Sequence, residues 1–290
     1  MPYAILPEDE SVQAALRRIA REEAEGALAQ VRGDGDLGPR VHAMRKTVKK
    51  LRGLLRLVRP VFPHAGAENA VLRDAGRGLS ALRDAAVQLS TAERLTEPLP
   101  DDRRTALLAP FREAARHHDA RAEAEMLPPF ADAMSSLVSR SEGWRLKKEG
   151  WDALEPGLVQ TWEAARKAMK AARRDPDPEA LHEWRKRTKD HWYQARLLRH
   201  LWAGMMDPHI SAADDLGEML GQVNDLAVFR ERLDAADLSP ALRSEAQDLA
   251  TVRHAELMAQ VVPLGRRLFA GDAEGLTRRW GTWWSLRGSA

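Results

Sequence analysis

The sequence predicts an all-α protein built from two related helical bundles of about four helices each. Three observations carry that expectation. Ala, Leu, Arg and Glu dominate and β-branched residues are sparse, which favours helices over strands. Apolar residues recur at steps of three and four along most of the chain. One basic amphipathic stretch, residues 41–60, occurs again at 181–199, and such repetition governs the fold prediction. The absence of cysteine excludes disulfides and thiolate metal sites. The formal net charge is only +2, so any charged partner must be announced by where the charge lies.

Residues 11–31 read as a first helix, with Ser11 as N-cap and Leu16, Ile19 and Ala20 as its apolar stripe. Arg17, Arg18 and Arg21 add positive charge to it. Gly33-Asp-Gly-Asp-Leu-Gly38 then ends the helix. Its letters fit GxGxxG, but a dinucleotide fingerprint follows a strand, and two aspartates would repel a pyrophosphate. The stretch reads as a turn. The basic helix comes next and stops at Pro60-Val-Phe-Pro63. A third helix is expected over 68–95, carrying Leu72, Leu79, Leu82, Val87 and Leu89, and a fourth over 103–126. Pro128-Pro129 is expected to interrupt the chain. Polar, glycine-bounded residues 140–150 mark the boundary between halves, giving repeats of about 1–143 and 144–290 within a single domain. In the second half, helices are expected over 157–174, over the second basic stretch to Trp202, over 210–233, and from Pro240 onward. Asp175-Pro-Asp-Pro178 should cap the second basic helix. Trp144, Trp151, Trp162, Trp184, Trp192 and Trp202 fall at helical positions and are expected in the core or between bundles. Trp280, Trp283 and Trp284 share one helical face and should seal the C-terminus.

On a helical wheel the first basic stretch separates cleanly. Met44, Val48, Leu51, Leu55 and Val58 fall on one side. His42, Arg45, Lys46, Lys49 and Arg56 fall on the other, with Arg52 and Arg59 at the edge. No Asp or Glu lies between Val41 and Pro60. An ordinary solvated face mixes signs, so a ladder of one sign points to an anion lying against it.

The second copy aligns without gaps. His182, Arg185, Lys186, Lys189, Arg196 and Arg199 answer His42, Arg45, Lys46, Lys49, Arg56 and Arg59. Further on, Leu220-Gly-Gln-Val-Asn-Asp225 resembles Leu79-Ser-Ala-Leu-Arg-Asp84. The copies also differ. Trp192 stands where the first has Arg52, and Asp190 where it has Lys50, so the halves should grip an anion unequally.

The pattern His-x-x-Arg-x-x-x-(Lys/Arg)-x-x-(Arg), repeated once per half, resembles the CHAD family, the conserved-histidine α-helical domains. The resemblance implies two four-helix bundles related by an internal pseudo-twofold, with a basic central groove that binds inorganic polyphosphate. It also implies association with polyphosphate granules. Carried onto this chain, the groove falls on His42, Arg45, Lys49, Arg52 and Arg56, and on His182, Arg185, Lys189 and Arg196. Lys46 and Lys186 join them through the repeat, and Arg21, Arg83, Arg166, Lys170 and Arg173 are candidates from neighbouring helices. Asp84 either orients Arg83 or pairs elsewhere. Many relatives also carry a triphosphate-tunnel domain with alternating glutamates, a stretch this chain lacks.

A linear phosphate polymer suits such a ladder. It offers no base to stack on, so recognition must come from rows of charge-assisted hydrogen bonds, with Arg as a planar fork and Lys as a point charge. From His42 to Arg56 a helix runs roughly 21 Å, room for several phosphates in line. The two histidines, near the helix starts, should add backbone N–H groups and the helix dipole.

The expectation is therefore a non-enzymatic polyphosphate binder with no cofactor and no metal. It would reside in the cytoplasm or on polyphosphate granules, where granule-associated proteins are further candidate partners. No membrane span and no secretory signal are expected. Nucleic acid, or polyanions in general, is the competing ligand class, ranked lower because no recognition motif accompanies the basic helices. A phosphate-ester or polyphosphate-metabolising enzyme, or its accessory, is the third reading. His117-His118-Asp119 evokes a metal phosphohydrolase, but adjacent histidines on a helix point about 100° apart.

Overall fold

The computed structural model describes residues 3–79, 81–116 and 120–287, and their side chains except at 81–86, 116 and 120–124. Among the described residues there are eleven α-helices and no strand. The first half contributes α1 (Val12–Arg32), α2 (Leu37–Val58), α3 (Ala65–Gly78), α4 (Ala81–Leu95), α5 (Asp101–Arg116) and α6 (Ala120–Glu142). The second contributes α7 (Trp151–Arg174), α8 (Pro178–Leu197), α9 (Ala203–Ala235), α10 (Pro240–Leu268) and α11 (Ala273–Leu286), with a 3-10 turn at Arg199–Leu201.

Local chemistry starts these helices where the sequence suggests. Ser11 Oγ accepts the Ala14 N–H at 3.0 Å, and Asp177 Oδ1 accepts the Ala180 N–H at 2.7 Å. Each satisfies one of the donors that a helix start leaves open. Ser239 and Asp272 cap α10 and α11 in the same way.

Three expectations need correction. The span 103–126, expected as one fourth helix, is divided between α5 and α6. The third helix is divided into α3 and α4, whereas α9, at the matching place in the second half, runs unbroken for 33 residues. Pro128 and Pro129 lie inside α6 and do not interrupt it. Their rings remove two backbone donors. The helix is nonetheless held by Leu127, Phe130, Met134 and Leu137, all buried in the core, and by packing against α1 and α3. The chain turns instead after Glu142.

In the first half, α1 packs against α2 and α6, and α3 closes the group against the same two helices. In the second, α7 packs against α8 and α11, α8 against α9, and α9 against α10. The groups meet where α2 lies on α7 and α8, while α4 and α5 lean across onto the second-half helices. One connected cluster of buried apolar side chains runs through both. Glycine allows the closest approaches. A Cβ at Gly157 of α7 would overlap the Leu57 carbonyl oxygen of α2. A Cβ at Gly53 of α2 would sit 2.7 Å from Tyr193 Cβ of α8.

Two extended segments stitch the helices together. Residues 3–6 form a strap. The Ile5 N–H donates to Leu197 O at 2.8 Å, and Tyr3 Oη donates to Lys50 O at 2.7 Å. Residues 143–150, which lead into the second half, are pinned to the first. Arg17 donates to Trp144 O, Leu146 N–H donates to Gln13 Oε1, and Lys147 N–H donates to Val61 O. Nearby, Arg140 grips Glu68 through two bonds of 3.0 and 2.9 Å.

The tryptophans mostly fill the core. Trp144, Trp162, Trp184 and Trp192 are buried and Trp151 is half-buried, but Trp202 is 54% exposed because α9 starts beside it at the surface. Trp280 of α11 is buried against His191 and His209. Trp284 packs on Trp151, and Trp283 on Trp202. No described helix is long and apolar enough to cross a membrane.

Candidate functional site

Both basic helices line one groove, of about 690 Å³, with α9 as its outer wall. α2 supplies His42, Arg45, Lys46, Lys49, Arg52 and Arg56; α8 supplies Arg185, Lys186, Arg187, Lys189 and Arg196. Ten Lys and Arg side chains therefore line it, against three carboxylates: Asp190, Asp214 and Glu218. The amphipathic pattern explains the placement. Met44, Val48, Leu51, Leu55 and Val58 bury one face of α2, which turns the charged face outward.

Five candidates lie elsewhere. His182 is half-buried beside the groove, with Nδ1 2.7 Å from Asn224 Oδ1 of α9. With the amide oxygen facing it, Nδ1 carries the proton and Nε2 points away from that bond. Arg21 is exposed on α1. Arg166, Lys170 and Arg173 form a stripe on the solvent side of α7, with Arg166 half-buried. None of these lines the groove, because the apolar faces of their helices turn inward elsewhere. The Arg83 side chain lies outside the described residues, as do His117, His118 and Asp119. The helix-start argument also fails for the two histidines. α2 begins at Leu37 and α8 at Pro178, so His42 and His182 sit in the second turn, where backbone N–H groups already bond carbonyls one turn back.

The walls differ in how their charge is held. On the first-half wall, Arg52 Nε donates to Asn69 Oδ1 at 3.0 Å. Burial, and then the neighbouring Arg56 guanidinium, lower the Arg52 pKa from its usual value, as befits a cation packed among cations. Arg56 reaches across to α8, donating to Asp190 Oδ1 at 2.7 Å, and Arg187 approaches Oδ2 at 3.4 Å. Burial pushes the Asp190 carboxyl up from its ordinary value against the pull of these arginines. On the second-half wall, Lys189 Nζ lies 2.8 Å from Asp214 and 2.6 Å from Glu218. Lys186 and Arg187 both pair with Glu183.

Aromatic rings sit beneath this charge. Lys189 Nζ and the Arg196 guanidinium lie over the Trp192 ring, 4.2 and 4.8 Å from its centroid. Tyr193 packs edge-on to Tyr3 of the strap. Both groove aromatics are buried, Trp192 to 9% exposure and Tyr193 further, so neither presents an open face. Arg185 Nε and Trp192 Nε1 are buried without an acceptor among the described residues. Such orphans call for an explanation, and an absent anion or water is a common one.

Reading the basic pattern alone misses the α9 wall. Asp214, Gly217, Glu218 and Gly221 fall at steps of three, four and seven, one face of one helix. That spacing was available as a signal, but it carries no cation. A second cleft, of about 470 Å³ between α4, α9 and α10, is apolar at Leu95, Leu226 and Leu257. Its arginines, Arg94 and Arg253, are mixed with Glu97 and Glu256, so it offers no surface of one sign.

An all-helical chain that sets two copies of one basic helix along a shared groove is defined as much by its internal repetition as by its fold. The family model for the CHAD domain matches residues 10–234, and the chain belongs to that family. The crystal structure of the CHAD domain from the plant Ricinus communis is similar to it, with a TM-score of 0.62 at 21% identity. That likeness covers 97% of this chain and 94% of the plant one and bears on the fold alone. No curated protein matches.

Proposed function

We propose that the groove binds inorganic polyphosphate without chemical conversion and thereby places the protein on polyphosphate granules. The observation that carries this reading is the concentration of ten cationic side chains from two repeated helices along one groove. A flexible polyanion can run between α2 and α8 and take charge-assisted hydrogen bonds from both. The orphaned Arg185 Nε supports an oxygen acceptor arriving from outside. The covered ring of Trp192 favours a ligand without bases, since single-stranded nucleic acid is usually held by bases stacked on open aromatic faces.

A calorimetric titration with medium-length polyphosphate, against matched single-stranded DNA and orthophosphate at physiological salt, tests the reading. Tight binding to polyphosphate alone is expected. Equal or stronger binding to DNA would make the groove a general polyanion surface. The Arg45→Glu/Arg185→Glu variant, shown to fold by circular dichroism, should bind polyphosphate at least about 100-fold more weakly, the loss expected for two charged contacts. Unchanged affinity would exclude the groove as the site.

A further inference from the structure

Lys189 lines the groove, yet its ammonium is already committed. One direction is taken by Asp214 Oδ1 at 2.8 Å and a second by Glu218 Oε1 at 2.6 Å. A third faces the Trp192 ring, 4.2 Å from the centroid. An ammonium has three donors, and these contacts account for all of them. The stem is held as closely. A Cβ at Gly217 of α9 would lie 2.7 Å from Lys189 Cδ and 2.9 Å from Cε, so the side chain reclines in a notch that only glycine leaves open. One turn on, Arg185 lies across Gly221, where a Cβ would stand 3.0 Å from its Nε. Glycine and carboxylate alternate along this face of α9, and the cations of α8 rest in the track they make.

The two carboxylates are not buried structural partners. The Asp214 and Glu218 side chains are 42% and 66% exposed, while that of Lys189 is 18% exposed. They stand at the rim with the cation beneath them. Glu218 also feels Arg185 and, from the opposite wall, Lys49, so its charge faces into the groove. Two carboxylate oxygens thus stand against the ammonium at the open side of the groove.

We propose that Asp214 and Glu218 are built-in counter-ions that hold Lys189 in the empty groove and are displaced by an arriving phosphate chain. The proposal rests on the reading of the groove as a polyphosphate receptor. Under it, the carboxylates set a threshold: a polymer able to offer several oxygens at once can exchange them, whereas single phosphates compete poorly with a pair already in place. Lys189 is then a grip released on binding.

The test is the Asp214→Asn/Glu218→Gln variant, titrated with sodium polyphosphate and with orthophosphate. Both changes keep side-chain size, and Glu218→Gln alone provides a second variant at the more exposed position. Polyphosphate affinity should rise about threefold to tenfold, the scale of two partly exposed ion pairs. In the Lys189→Met background the same pair of changes should give less than half that gain in binding free energy, because there the carboxylates hold no grip to release. An equal gain in both backgrounds would reduce the carboxylates to a general negative field and overturn the proposal. So would unchanged or weaker binding by the amide variants while the wild type binds and Arg45→Glu/Arg185→Glu does not; the groove would stand, with its counter-ions as positioning groups. If neither wild type nor the amide variants bind polyphosphate, the proposal and the reading beneath it both fall.

Discussion

Lys50 and Asp190 hold the same place in the two copies of the basic helix, and their fates show how little a local pattern says about partners. Lys50 turns away from the groove to Glu23 of α1, 2.5 Å away. Asp190 turns in and ties α8 to Arg56 of α2. A difference that reads in sequence as an unequal grip is, in the structure, a bond between the two halves. Asp190→Asn should lower stability by about 1–3 kcal/mol, since it takes the charged acceptor away from the half-buried Arg56 and Arg187. The shift in urea midpoint measures it, and a neutral result would mean that the substituted amide restores the contact as an acceptor. The cations themselves were legible, because charge at steps of three, four and seven needs only one helix to make sense. Their counter-ions were not. Asp214 and Glu218 come from α9, some twenty-five residues beyond Lys189, and only packing brings them there.

At the scale of elements, α11 shows what docks the end of the chain. Trp280 enters a cluster in which His191 Nε2 and His209 Nε2 lie 2.7 Å apart, with Trp162 and Phe269 around them. One imidazole must donate and the other accept, so the two cannot both carry a positive charge. Burial, and then His209, lower the His191 pKa well below its ordinary value. Burial, and then Arg279, bring that of His209 down to about 4. Between about pH 6.5 and 4 the unfolded chain takes up a proton that folded His209 refuses. Its contribution to stability is thus fully present above about pH 6.5 and is lost as pH falls toward 4, by about 3 kcal/mol for this residue. Urea midpoints across that range should show the fall. His209→Phe should remove much of the slope, and an identical slope in that variant would place the acid sensitivity elsewhere. Caps were the most legible part of the helices: Ser11 and Asp177 each accept the bond their residue type suggests. Ser11→Ala should accordingly cost about 1 kcal/mol, read from the thermal midpoint. Pro128 and Pro129 misled because proline's local penalty was weighed without the apolar residues on either side that hold α6 in the core.

Over the whole molecule, helical class and repetition followed from composition and from one stretch that occurs twice, both properties independent of packing. The way the halves join did not, because it depends on where two backbones meet. Gly157 carries no mark in the sequence that separates it from other helical glycines, yet it is where α7 rides on α2. Gly157→Ala should destabilise the protein by at least about 1–3 kcal/mol, the usual cost of overpacking, since backbone on the other side yields little. Groove and crossing share α2, so, on the proposed reading of the groove, the same variant should also weaken polyphosphate binding, whereas Ser11→Ala should not. Thermal midpoints and titrations of both variants check this.

The strap gives the molecule an order of assembly. Ile5 bonds to Leu197, and Tyr3 rests between Lys50 and Tyr193. The bond from Ile5 to Leu197 and the contact of Tyr3 with Tyr193 cannot form until α8 has been made. On a ribosome working at about 5–20 residues per second, that is a wait of roughly ten to forty seconds. Until then the groove lacks its α8 wall. The first basic helix thus stands without its counterpart while the second half is still being made.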